Sequence, residues 1–573
     1  MKKLKMLIAT TLAVVMLVPM GACVSGGGEK IDKSKTQLYV GNYDGGYGTK
    51  WMTELERRFE EKYADFSFEE GKKGVQVLVD NNKSYTADEM LDRLATSDRE
   101  VVFVSGQKFY KMTDSKLLMD ISDIVQEDLS SKYEGETGNI ESKIPETVMP
   151  YCKAADGKYY ALPSFDGSLG VIYDKDLFNE KKLYFAKNGA PSEAFQENGS
   201  FSNYIFTNYR ENNLSAGPDG EYGTMDDGLP ATYDEFFYLC DMMEQKNITP
   251  FSWTGTYIEN YSLFLYKYAF VDYEGKASAE LQFNAGSVVG KNTTTLVKFD
   301  ADGNPMFDAQ RNPVLEDGET TITVSNYDEL ARQPGRYYAL KFWEKIIKEK
   351  YYTKASVNNS QSHVMAQTDY IESKYTSNPI AFLLEGPWWE NEVRVSGGVE
   401  AVVENQGKEA DPANRNFGFF PMPKATQAQV GQKTTVQTGN SSAFINAKTK
   451  ANKKLVAKMF LQFAYTDESL NFQTEYTGLR SGVNYEITED TYKNLSPFAR
   501  DMLKFNENAN QAYEVFPTKE ISYAVEDKYE VLERTQSRVG GISKQSFFYS
   551  ILTDKISSTD YFKGFYERIK TVK

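Results

Sequence analysis

Two adjacent tryptophans, Trp388 and Trp389, follow the apolar run Pro379-Ile380-Ala381-Phe382-Leu383-Leu384-Glu385 and the stop Gly386-Pro387. An indole offers a broad apolar face that stacks on a ligand ring, and it is seldom spent on open surface. Adjacent side chains diverge. Either one ring packs inward while the other faces a cleft, or both belong to a core. A second candidate is the loop Asn42-Tyr43-Asp44-Gly45-Gly46-Tyr47-Gly48. It has neither the GxGxxG spacing nor the Gly-Lys-Ser/Thr of a phosphate cradle. Tyr43, Asp44 and Tyr47 offer ring faces and hydrogen-bonding groups instead, suited to polar, ring-shaped ligands; otherwise the loop uses glycine only to turn. A third is Gly217 to Gly228, where Asp219, Glu221, Asp226 and Asp227 are spaced by glycines. Such spacing can wrap a hard cation such as calcium, although it is not the EF-hand pattern. The alternative is a solvated acidic turn.

Other chemistry lacks material. His363 is the only histidine, so a His-based zinc site or a Ser-His-Asp centre is not expected. After Cys23 only Cys152 and Cys240 remain, read as two buried free thiols, with a pairing left open. The net charge of −16 argues against nucleic acid, whose phosphates need a basic surface. The 39 tyrosines in an acidic chain again suit polar ring ligands.

The elements that must position these residues are legible in places. Gln37 to Gly41 predicts a strand, Thr49 to Ala64 a helix with Trp51, Leu55, Phe59 and Tyr63 on one stripe, and Val75 to Val79 a strand. Thr86-Ala87-Asp88-Glu89 is a capping box for a helix to about Ala95, and Val101 to Val104 is an apolar strand. This alternation predicts a doubly wound parallel sheet, whose ligands sit beyond the C-terminal strand ends. Two loops then share an edge, Asn42 to Gly48 and Ser105-Gly106-Gln107. Asn416 to Pro423 predicts another short strand, Gly335 to Tyr352 a helix with Trp343 in the core, and Leu455 to Ala464 a further helix. The eight-residue echo Phe299 to Pro305 and Phe307 to Pro313 reads as hairpin turns. At 573 residues, two or more domains are expected.

The N-terminus has a basic n-region (Lys2, Lys3, Lys5), an apolar stretch from Met6 to Met20, and Met20-Gly21-Ala22-Cys23. The last four residues resemble a bacterial lipobox with Met in place of the usual Leu. The resemblance implies removal of residues 1–22, lipidation of Cys23, and a membrane anchor on the extracytoplasmic face. Residues 23–36 read as a flexible tether.

Downstream, Tyr159-Tyr160-Ala161-Leu162-Pro163, Gly170 to Phe178, Ala381 to Trp389, Phe417 to Pro423 and Asn440 to Phe472 follow in the order seen in extracellular solute-binding proteins of carbohydrate ABC importers. The chain resembles that family, of which maltose-binding protein is a relative. The resemblance implies an α/β fold of two lobes joined by hinge crossovers, with ligand in the cleft between them. Lobe 1 would be 37–163 plus 432–482, and lobe 2 would be 165–430 plus 484–573, with insertions at about 188–230 and 275–326. By position in the family, contact candidates are Tyr43, Asp44, Tyr47, Ser105, Gly106, Gln107, Phe165, Asp166, Trp253, Tyr257, Glu385, Trp388, Trp389 and Tyr523. The implied role is to capture an oligosaccharide and deliver it, as a monomer, to ABC permease subunits, with no cofactor required; a structural calcium enters only as the cation reading of the Gly217 to Gly228 loop. The competing readings are a glycoside hydrolase with two carboxylates and a surface adhesin lipoprotein.

Overall fold

The computed structural model describes residues 30–187, 206–209, 213–288, 292–537, 547–553 and 556–572. Cys23, the leader and most of the tether lie outside the described residues, as do parts of the two insertions.

The first sheet begins with β1 (Thr36–Tyr43), β2 (Val75–Asn82) and β3 (Val101–Val104). β1 lies between the others and runs parallel to both, pairing Thr36 with Val75 and Val40 with Val101. This parallel core follows from the helical links. Helix Lys50–Lys62 buries Trp51, Met52, Leu55 and Phe59 against it, and Thr86 caps helix Ala87–Arg93 by accepting the Glu89 N–H at 3.3 Å. β4 (Leu162–Ser168) then leads into β5 (Gly170–Asp174). β5 belongs to a second sheet with β6 (Thr249–Ser252), β7 (Ile380–Glu385) and β8 (Phe417–Phe419), in the order β8-β5-β7-β6. β7 is antiparallel to β5 and parallel to β6. It is buried at every position, as a strand covered on both faces must be.

The chain returns through β9 (Thr435–Ile445), antiparallel to β3 and to β4 and parallel to β10 (Asn510–Tyr513). Two cores flank this strand. Val436, early in β9, packs into the core around the second sheet, and Ala443 to Ile445 pack into the first. β4 and β9 are therefore neighbouring crossovers between two bodies. The two-lobe α/β architecture expected from the sequence is the one observed. Cys152 and Cys240 are free and buried, one in each core, so they do not pair.

The second insertion forms a smaller core with the C-terminal helices. Leu281, Ile322, Tyr327 and Leu330 pack with Val531, Leu532, Phe565 and Ile569. It supports helix Lys519–Glu533. The echoed stretches are turns, as read: Phe299 bridges Pro305 and Phe307 bridges Pro313.

Candidate functional site

The C-terminal ends of β1 and β3 place the Asn42–Gly48 loop and Ser105–Gln107 side by side, with the Tyr43 phenol beside the Ser105 hydroxyl. The end of β7 delivers Trp388 from the opposite body. Trp388 is half-buried and meets Tyr47 edge to face, with ring centroids 6.3 Å apart and planes at 80°. Glycine is needed here for close approach: a Cβ on Gly46 would lie 2.5 Å from Trp388 Cδ1, and one on Gly386 would strike the far edge of the same indole.

Behind this aromatic pair lies a cavity of about 720 Å³. Its walls come from both bodies. The first supplies Tyr47, Ser105, Gly106, Gln107, Tyr110 and Lys111. The second supplies Trp388, Phe264, Lys267 and the face of helix Lys519–Glu533 bearing Tyr523, Glu526, Tyr529 and Glu533. The β9 crossover contributes Gln437, Gly439, Asn440 and Ser441. A groove of this size, with aromatic faces and convergent polar groups, fits a small polyhydroxylated molecule.

Of the residues singled out from the sequence, Tyr47, Ser105, Gly106, Gln107, Trp388 and Tyr523 line this cavity. Tyr43 supports Tyr47 edge to face at 5.9 Å, and Asp44 continues the β1 edge by donating its N–H to the Asn82 carbonyl. Others sit elsewhere. Phe165 is 3% exposed and stacks beneath Tyr47 at 4.4 Å, so it backs the wall rather than forming it. Trp253 and Trp389 are 1% and 0% exposed core residues. Trp389 is enclosed by Phe417, Phe498 and Tyr370. Rings with no free face have nothing to stack on a ligand, so both are corrected from contact to core. Tyr257 is exposed beside His363, away from the cavity. Glu385 is buried and accepts the Tyr261 hydroxyl at 2.6 Å; burial and the nearby Glu392 push its carboxyl well above the ordinary range. Asp166 lines a smaller neighbouring cavity of about 250 Å³ with Arg480, and burial raises its pKa to about 7.

The carboxylates of the acidic loop are engaged within the turn. Asp219 accepts the Glu221 N–H at 2.8 Å, Asp226 accepts the Thr224 hydroxyl at 2.6 Å, and Asp227 accepts the Gly223 N–H at 2.8 Å. Their oxygens serve the turn, and no three His, Cys, Asp or Glu side chains among the described residues converge as a metal-ligand set.

Sequence reasoning missed the charged wall of helix Lys519–Glu533. Lys111 pairs with Glu526, and Lys267 with Glu533. Burial opposes the charge on Glu533, but Lys267 and the Tyr529 hydroxyl outweigh it and hold its carboxyl below the ordinary range. At the mouth, Asp114 accepts Lys519 Nζ at 2.7 Å and the Tyr523 hydroxyl at 2.8 Å. Opposite, Lys83 approaches Glu392 at 3.8 Å, and His363 Nε2 lies 3.1 Å from the same carboxylate. The bodies thus meet across the cleft by charge at two rims. The available signal was a helix with Tyr523, Glu526, Glu530 and Glu533 at helical spacing.

No helix among the described residues is long and apolar enough to cross a membrane. Comparison with curated protein sequences yields no match. Among solved structures, a chitin oligosaccharide binding protein is similar at 13% identity and TM-score 0.53, covering 91% of this chain and 94% of that one. The bacterial solute receptor AcbH, described as having an exclusive preference for b-D-galactopyranose, is similar at 12% identity and TM-score 0.53, covering 94% and 99%. Maltose-bound T. maritima MalE3 is similar at 16% identity and TM-score 0.52, covering 93% and 99%. At these identities the likeness speaks to the fold. The family description "Bacterial extracellular solute-binding protein" matches residues 64–498, most of the chain. Together with the two-body fold and the interlobe cavity, that match places this chain in the bacterial extracellular solute-binding protein family.

Proposed function

We propose that the protein captures a carbohydrate, most simply an oligosaccharide, outside the cytoplasmic membrane and hands it to the permease of an ABC importer. In this reading Cys23 carries the lipid anchor and the folded body acts as a monomer. The observation that carries it is the cavity between the bodies, with Tyr47 and Trp388 as aromatic faces and the β9 edge as a polar rail. Sugar rings present apolar faces to aromatics and a rim of hydroxyls to amides and hydroxyls. Closure of the lobes is stabilised by contacts made only in the closed state. The titles of the similar structures name chitin oligosaccharide, galactopyranose and maltose as ligands, which supports the sugar class and sets the first panel. The protein acts as a binder: Glu526 and Glu533 on the cavity wall are tied up in ion pairs, which suits a wall better than acid–base work on a glycosidic bond.

The test is isothermal titration calorimetry of the chain from Val24 onward with chito-, galacto- and malto-oligosaccharides, followed by chromatography of the ligand. Saturable binding at micromolar affinity or tighter, with the sugar recovered intact, is expected. No heat with any sugar would overturn the assignment, and recovery of shortened sugars would turn it toward a hydrolase.

A further inference from the structure

Glu514 follows β10 and lines the interlobe cavity with one carboxylate oxygen committed and one not. Gln437 Nε2 donates to its Oε1. Among the described residues Oε2 has no hydrogen-bond or ion-pair partner, and it is open to solvent. A bare stretch of backbone lies beside it. Gly439 on β9 faces Gly167 on β4, and both line the cavity. Residues directly opposite in an antiparallel pair point to one face of the sheet. A Cβ on Gly439 would lie 3.6 Å from Glu514 Oε2, and one on Gly167 would lie 3.6 Å from Trp388 Cζ3. The two glycines therefore form a floor with the carboxylate at one side and the indole at the other, and neither contributes a side chain to fill the space between.

The surrounding charges leave this acid over. Lys267 pairs with Glu533, whose other oxygen accepts the Tyr529 hydroxyl at 3.1 Å. Lys111 pairs with Glu526, and Lys108 with Asp88 at 3.0 Å. Burial, with Glu533 nearby, raises the Glu514 carboxyl above its ordinary range against the pull of Lys267. A carboxylate held in this setting is short of one positive charge.

We infer that Glu514 Oε2 receives the ammonium group of a ligand, so that the cavity selects an amino sugar with a free amine over its N-acetylated counterpart. This rests on the carbohydrate reading above and names the class within it. A sugar ring lying on the two glycines turns its apolar face toward Trp388 and its amine toward Glu514. The protonated amine donates N–H to Oε2, a charge-assisted hydrogen bond stronger than a hydroxyl makes. An N-acetyl group is neutral and would cover the carboxylate without neutralising it. Glu514 is thus a specificity-determining residue at the end of a crossover strand.

The experiment titrates wild type and Glu514→Gln by calorimetry with oligomers of glucosamine and of galactosamine, with their N-acetylated counterparts, and with the neutral oligosaccharides of the first panel. Glu514→Gln keeps the shape and the acceptor for Gln437 and removes the charge; circular-dichroism melting checks its fold. The expected result is single-site binding of a free-amine oligomer by wild type, tighter than its N-acetylated counterpart by about tenfold or more. Glu514→Gln should lose about tenfold or more for that oligomer, the scale of one charge-assisted hydrogen bond, and change by less than about threefold for any neutral sugar that wild type binds. Wild type that binds a neutral or N-acetylated sugar as tightly as the free amine, or tighter, overturns the inference and leaves the carbohydrate reading standing. Free-amine binding that survives Glu514→Gln within about threefold also overturns it, because attraction to the acidic chain as a whole would behave that way. Absence of any saccharide binding by folded wild type brings down the carbohydrate reading and this inference with it.

Discussion

The two tryptophans at the end of β7 divide two jobs between neighbours. Trp389 is enclosed in the second core, and Trp388 presents part of its ring to the cavity. Replacing Trp389 with Ala is expected to cost about 3–5 kcal/mol in urea unfolding, as for other fully buried large residues. Trp388→Ala is expected to leave stability much closer to wild type and to weaken sugar binding by about tenfold, since an aromatic stack contributes about 0.5–1.5 kcal/mol beyond its area. Because adjacent side chains diverge, the sequence offered one ring inward and one at a cleft, or both in a core, and local pattern alone does not choose. That choice depends on Gly46 and Gly386 leaving space for the indole of Trp388, a tertiary fact. Trp253 illustrates the reverse error. Its segment lies beside Tyr352 and Trp343, which close over it, and no local pattern announces a partner so far along the chain.

Helix Lys519–Glu533 shows what element-level reading lost. The parallel sheet of β1, β2 and β3 was legible because strands and helices alternate within one continuous stretch. The C-terminal helix had only polar periodicity, and its place at the cleft depends on the second insertion beneath it. It reaches the first body through Lys111–Glu526 and through Asp114, which holds both Lys519 and Tyr523. Exposed pairs of this kind contribute about 0–1 kcal/mol each and are screened by salt. Asp114→Ala is therefore expected to weaken ligand affinity by less than about tenfold and to flatten its dependence on sodium chloride. Titration at several salt concentrations checks this; an unchanged salt slope would detach the rim from closure.

Across the whole molecule, burial leaves a set of carboxyl groups that resist ionisation. Asp166, Asp226 and Glu390 are each pushed up to about 7. For a raised group, stability is fully present below the unfolded pKa near 4 and is lost as pH rises through about 7. Opposing them, Glu69 and Asp120 fall to about 2: burial works against their charge, but Lys453, Asn452 and Lys72 for the first, and Lys158 and Ser122 for the second, outweigh it. Their contribution is lost as pH falls from about 4 toward 2. The melting temperature is thus expected to be higher at pH 5 than at pH 8 and to drop again below pH 4. Asp166→Asn is expected to shrink the difference between pH 5 and pH 8. A melting temperature rising from pH 5 to pH 8 would contradict the assignment.

The placement of the indoles also has an optical consequence. The chain has five tryptophans, and Trp51, Trp253, Trp343 and Trp389 are each at most 4% exposed. Aqueous iodide can reach only Trp388, so collisional quenching should divide the emission into one accessible fraction and one shielded fraction. Filling the cleft should move the accessible fraction into the shielded one, so that the protein reports its own occupancy through a single side chain.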